Sequence, residues 1–196
     1  TNSAPEIFEE LKSRFGDKVL GTESQTGRQV VVVQPQAVAE VIGWLKAEQG
    51  YDLLMELSGA DYSGYPGQQA GPLCVGYHLF GSETRRRAWV KAYRPLEGFS
   101  LPTLSQLYAC ANWYEREAFD MYGILFEGHT DLRRILTDYG FVGHPFRKDF
   151  PVSGYVEMRY DAEQKRVIYQ PVTIEPREVT PRIVREENYG KVDGRG

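Results

Sequence analysis

The apolar residues of this chain switch repeatedly between helical and strand spacing along its first half, and that switching limits the folds open to it more than any motif does. In "PEIFEELKSRFG", Ile7, Phe8, Leu11 and Phe15 fall on one stripe of a helix, with Pro5 near its start and Gly16 at its stop. "KVLGTES" and "RQVVVVQ" follow as strands separated by a Thr-Gly turn signal, which predicts a hairpin. From Pro35, the positions Val38, Val41, Ile42 and Leu45 return to helical spacing and end at Gly50. Next, "YDLLMEL" alternates Tyr51, Leu53, Met55 and Leu57 against Asp52 and Glu56, the pattern of a half-buried strand. "PLCVGYHLF" and "RAWVKAYR" read as further strands, the first preceded by a Gly/Pro-rich loop at 64–72. Two helices on one face of about five strands predict an α+β fold with two layers and a mixed β-sheet.

At 196 residues the chain has material for one sizeable core and an appended segment, so it divides into an α+β domain over 1–150 and an extended partner-binding arm over 151–196. A net charge of -4, without a basic run interleaved with aromatics, gives no reason to expect nucleic acid. The longest purely aliphatic stretch is Val30 to Val33, far short of the roughly 20 residues that span a bilayer. No secretory pattern marks the N-terminus, so a reducing compartment is expected. Cys74 and Cys110 are the only cysteines, whereas an all-cysteine zinc site or an iron-sulfur cluster needs four ligands. Both lie in apolar neighbourhoods and read as small hydrophobes. No GxGxxG after a strand, Walker loop or GxSxG occurs.

The charged stretch is "NWYEREAFDMYGILFEGHTDLRRIL", residues 112–136. Its first half predicts a helix with Asn112 as N-cap and Gly123 as stop. Tyr114, Ala118, Met121 and Tyr122 would dock on the sheet, with Trp113 and Phe119 to the flanks and a charged outer side. Arg116 and Asp120 stand four apart, which suggests a structural ion pair and argues against paired-carboxylate catalysis by Glu115, Glu117 and Asp120. A metal site could draw on His129 and Asp131 with Glu117 or His144, although no HExxH spacing supports it. The third reading is an interface. Arg133, Arg134, Arg147 and Lys148 stand near Asp131, Asp138 and Asp149, among Tyr139, Phe141, Phe146 and Phe150, and arginine with aromatics dominates interface cores.

In "EREAFDMYGILFEGHTDLRRIL" followed by "TDYGFVGHPFRKDFPVSGYVEMRYD", the chain closely resembles the C subunit of respiratory complex I, the thirty-kilodalton subunit of NADH:quinone oxidoreductase. The resemblance is sharpest from about Asn112 to Asp161, and it maps the family signature onto Glu115, Arg116, Glu117, Asp120, His129, Arg133, Ile135 and Leu136. Thr130 departs from it where many relatives carry proline. The ending "VTIEPREVTPRIVREENYG" looks like the bacterial form. The resemblance implies a non-catalytic peripheral-arm subunit of a proton-translocating oxidoreductase. Such a subunit has no catalytic, cofactor or metal residues of its own; FMN and iron-sulfur clusters are carried by other subunits. It implies a hetero-oligomer in which the hydrogenase-large-subunit-like D subunit, which helps form the quinone pocket, is the main contact beside other peripheral-arm subunits. It also implies a peripheral location on the cytoplasmic side of the bacterial inner membrane, with membrane association only through the complex. Arg147, in "HPFRKDFP", is expected to bind a carboxylate or backbone carbonyls of that neighbour.

Two alternatives stand beside this. One is the related subunit of a membrane-bound, energy-converting hydrogenase; the other is a free-standing metal-dependent hydrolase built on His129, Asp131 and His144. In the tail, Pro171, Pro176 and Pro181 interrupt any helix and acids balance bases, while Val156, Val167, Ile168, Val172, Ile174, Val179, Ile183 and Val184 remain among the charges. An arm ordered only on a partner is expected.

Overall fold

The computed structural model describes residues 4–25, 27–65, 71–94 and 100–174. The chain divides into two compact units, Thr1–Phe150 and Pro151–Gly196. Within the first, helix α1 (Ala4–Phe15) leads into strands β1 (Val19–Gln25) and β2 (Arg28–Val33), then helix α2 (Val38–Gln49), then β3 (Leu53–Asp61), β4 (Leu73–Phe80) and β5 (Arg87–Arg94). The five strands form one sheet in the order β1-β2-β5-β4-β3. Its only parallel pair is β2 with β5; the remaining neighbours run antiparallel.

Strand alternation sorts the residues. Val31 and Val33, Leu73, Val75, Tyr77 and Leu79, and Ala88, Val90 and Ala92 point into one core with Ile7 and Leu11 of α1 and Val38, Val41, Ile42 and Leu45 of α2. The opposite face carries a small cluster of Val32, Cys74 and Tyr93 with Tyr62 against it. The helices therefore cover one face, giving two layers. Both predicted helices end as their glycines suggested; Gly50 closes α2 at φ 71.

The alternation expected in "YDLLMEL" fails at one point. A register shift between Leu54 and Glu56 turns Leu54 and Leu57 inward, and leaves Leu53 and Met55 exposed on the edge strand. An inserted residue reverses which face each following side chain meets, and no period-two count can foresee it.

Two short parallel strands, β6 (Ser100–Pro102) and β7 (Leu125–Glu127), flank helix α3 (Ala111–Tyr122) and were not legible as strands. Helix α3 packs against β3, where Gly59 leaves room for Tyr122: a Cβ there would lie 2.6 Å from the ring. The helix starts one residue earlier than Asn112, after Cys110, and no side chain caps it. Gly123 ends it in the left-handed region at φ 73.

The second unit contains a two-stranded antiparallel ribbon, β8 (Val156–Asp161) with β9 (Arg166–Pro171). Part of the expected arm thus has local structure of its own, since alternating side chains and a tight turn let the segment pair with itself. Asp161 holds that turn by accepting hydrogen bonds from the amides of Glu163 and Gln164. The expectations for Val179, Ile183 and Val184 lie outside the described residues.

Candidate functional site

Helix α3 is the hub of the charged region. Successive residues turn about 100° around a helix, so Trp113 and Glu117 share the outward side and both are exposed. Glu115, Arg116 and Asp120 lie elsewhere around the helix and are all buried. Of the four charges expected on an outer side, only Glu117 lies there. Three of the charges face inward because irregular backbone on either side of the helix needs hydrogen-bond partners that no sheet or helix supplies.

Glu115 serves the loop that enters α3. Its side chain accepts a 2.6 Å hydrogen bond from the Leu104 amide and a 2.5 Å bond from the Thr103 hydroxyl. His129 lies 3.9 Å from the same carboxylate, and both side chains are fully covered. The Asp131 amide donates to His129 Nδ1 at 3.0 Å, so the ring proton sits on Nε2, 3.2 Å from the Asn112 carbonyl. Burial raises the Glu115 pKa, opposed by the Thr103 and Leu104 hydrogen bonds and by His129.

Arg116 and Asp120 serve the loop that leaves β7. The Arg116 guanidinium donates to the carbonyls of Arg133 and Arg134 at 3.1 and 3.2 Å. The Asp120 carboxylate accepts from the amides of Ile135, Leu136 and Thr137 at 3.1, 2.8 and 2.8 Å, and from the Thr137 hydroxyl at 2.5 Å. Its ion-pair partner is Arg134, at 2.7 Å, in place of the Arg116 that the four-residue spacing suggested. Burial alone would raise the Asp120 carboxyl; the bonds from Thr137, Leu136 and Arg134 outweigh it and hold the group far below the usual carboxylate range. Arg134 also donates to the Gly143 carbonyl at 3.0 Å. Beyond it, His144 Nδ1 lies 3.0 Å from the Asp120 carbonyl, and the Phe146 amide donates to the Met121 carbonyl at 3.0 Å.

One helix therefore pins the loop before it, at Thr103 and Leu104, and the largely irregular chain from His129 to Phe146. What that chain displays is apolar: Leu136, Tyr139, Val142 and Phe146 are 64%, 85%, 82% and 56% exposed. Asp131 and Arg133 form an exposed pair at 2.9 Å. Arg147 is more covered than expected, with 20% of its side chain exposed, and lies 3.4 Å from Asp149. The amide of the exposed Lys148 donates to Asp61 at 2.7 Å.

The residues of the hydrolase reading do not converge. His129 sits against Asn112 and His144 against Asp120, eight residues or about 12 Å apart along a helix, and Glu117 faces solvent. Cys74 is buried and its thiol is pushed up to about 12. Cys110 is exposed, although its apolar sequence neighbourhood suggested a small hydrophobe. Among the described residues, no helix is long and apolar enough to cross a membrane. Thr103, Leu104, Thr137 and Gly143 escaped the sequence reading because their roles depend on which backbone the loops bring to α3.

Fold and site together define a small α+β subunit whose buried charges stiffen an exposed apolar surface. Residues 31–156 match the family described as the 30 Kd subunit of respiratory-chain NADH dehydrogenase, and the chain belongs to that family. A protein of Laribacter hongkongensis, named as the C subunit of NADH-quinone oxidoreductase, is 53% identical over 92% of this chain and 94% of its own length. One of the same name from Neisseria meningitidis is 50% identical over 96% and 98%. The solved trypsin-resistant fragment (1–134) of Nqo5 shares the fold with a TM-score of 0.57 at 32% identity, covering 65% of this chain and 98% of the fragment. The chain is accordingly a subunit of a multi-subunit NADH-quinone oxidoreductase and works within a hetero-oligomer. Named relatives of this kind favour the oxidoreductase over both the hydrogenase and the hydrolase readings.

Proposed function

We propose that this subunit acts by grip: it braces the D subunit beside the quinone site and supports assembly of the peripheral arm, while NADH oxidation, FMN and the iron-sulfur clusters belong to other chains. The observation that carries the reading is the pinned loop. Exposed Leu136, Tyr139, Val142 and Phe146 would be costly on a free protein. Buried Arg116 and Asp120, with half-buried Arg134, hold the backbone of this loop before any partner arrives, and preorganised surfaces lose less entropy on binding. Location on the cytoplasmic side of the bacterial inner membrane, through the complex alone, belongs to the same proposal.

The second unit is proposed to complete the contact. The relative Nqo5 was solved as a trypsin-resistant fragment, which supports a division between a resistant domain and a later segment that becomes ordered on its partner. The test is binding of the purified chain to the D subunit. Replacing Tyr139 and Val142 by Asp should weaken binding at least a hundredfold, about 3 kcal/mol, with the melting temperature of the free chain unchanged. Unchanged affinity would remove the loop from the interface.

A further inference from the structure

The β8-β9 ribbon is sorted by face. Its register sets Val156 opposite Pro171, Met158 opposite Tyr169 and Tyr160 opposite Val167, so these six residues share one side. The other side holds Glu157, Arg159, Asp161, Arg166, Ile168 and Gln170. That polar side is largely satisfied within the ribbon: Glu157 accepts from Gln170 and Thr173, and Asp161 from Gln164. The apolar side is uncovered, with Val156, Met158, Tyr160, Val167 and Tyr169 between 56% and 66% exposed.

An isolated two-stranded ribbon is marginal in water, and an apolar aromatic side makes it more so. We propose that this side is a docking face, and that its occupant is an apolar surface on another protein subunit of the oxidoreductase. The inference rests on the docking reading above and adds the residues through which the second unit docks. Charge argues for protein over lipid, because Glu157, Asp161 and Glu163 balance Arg159, Lys165 and Arg166 and leave no basic excess for an anionic membrane. Area argues against a second copy. The five exposed side chains present about 600 Å², below the roughly 800 Å² per partner of a stable standard interface, so the face suits one part of a larger contact. Tyrosines, with an apolar ring and a polar tip, suit such a position.

The test replaces Met158, Tyr160 and Tyr169 together by Thr, which keeps strand propensity while removing the apolar face; Arg159→Thr on the polar side is the control. Ribbon integrity is read from amide exchange across β8 and β9. With the ribbon intact, the triple variant should be recovered at least tenfold less in complex purified through a tag on another subunit, and Arg159→Thr should be recovered normally. The free wild-type chain should be monomeric by light scattering, should not float with phosphatidylcholine and phosphatidylglycerol vesicles, and should melt at the same temperature as the variant.

A drop in melting temperature would mean that the face packs on its own chain. Self-association or flotation abolished by the triple variant would assign the face to a second copy or to lipid; any of these three results overturns the proposal. If a threonine ribbon failed to pair, Tyr169→Thr alone would carry the same comparison. Normal recovery of the ribbon variant beside failed recovery of the Tyr139 and Val142 variant would refute this inference and leave the docking reading intact. Normal recovery of both would refute the two together.

Discussion

Replacing Asp120 by Asn removes one negative charge with almost no change of shape. The amide oxygen could still accept from the amides of Ile135, Leu136 and Thr137, but its NH2 group would then face the Arg134 guanidinium and the Thr137 hydroxyl, where the carboxylate accepts bonds at 2.7 and 2.5 Å. At Arg134 a donor would meet a donor, whereas the Thr137 hydroxyl can turn to accept, and Arg134 would keep only Thr137 and Gly143 as partners. Breaking a buried pair of this kind costs about 3–5 kcal/mol, a large part of the 5–15 kcal/mol typical of a domain. The penalty falls first on the loop. Amide exchange of Ile135, Leu136 and Thr137 should accelerate about 150- to 4,000-fold, while the β4 and β5 amides respond less. A loss of stability below about 1 kcal/mol, with unchanged exchange at those amides, would show that the loop holds itself and that α3 is not the hub.

Gly123→Ala places a Cβ 2.7 Å from the His144 ring at a backbone φ of 73; it should cost about 2–3 kcal/mol in urea unfolding and expose the chain near His144 to protease. Glu115 predicts a pH trend. Its folded pKa is raised, so the unfolded chain gives up this proton first, and stability from this group falls as pH rises from the ordinary carboxylate range through the raised value. Asp120, held low, has the opposite sign: its contribution is present above the ordinary range and fades as pH drops below it. Both trends occur in the parent, so the difference in unfolding free energy between parent and Glu115→Gln should decline as pH rises above the ordinary carboxylate range, and a flat difference would contradict the assignment.

Much of the first unit was legible because burial there follows period. Ile7 and Leu11, or Val38, Val41, Ile42 and Leu45, are buried as their spacing demands. Met55 was misread because a bulge breaks the period. The charged helix was harder. Helical spacing put Arg116 beside Asp120, but a guanidinium has five donors, and loop carbonyls at Arg133 and Arg134 compete for them. Such a choice depends on loops that carry no periodic signal. The exposure of Tyr139 fits its place among charged residues, whereas the cover over Arg147, with 20% of its side chain exposed, comes from loop packing that composition does not show.

Grip rather than chemistry is the role proposed for this chain, and NADH:quinone turnover normalised to assembled complex tests it without an intermediate step. With Tyr139 and Val142 replaced by Asp, the amount of assembled oxidoreductase should fall steeply while the complexes that do form turn over at the parent rate. Full assembly with collapsed turnover would place these residues in the electron or quinone path and contradict that role.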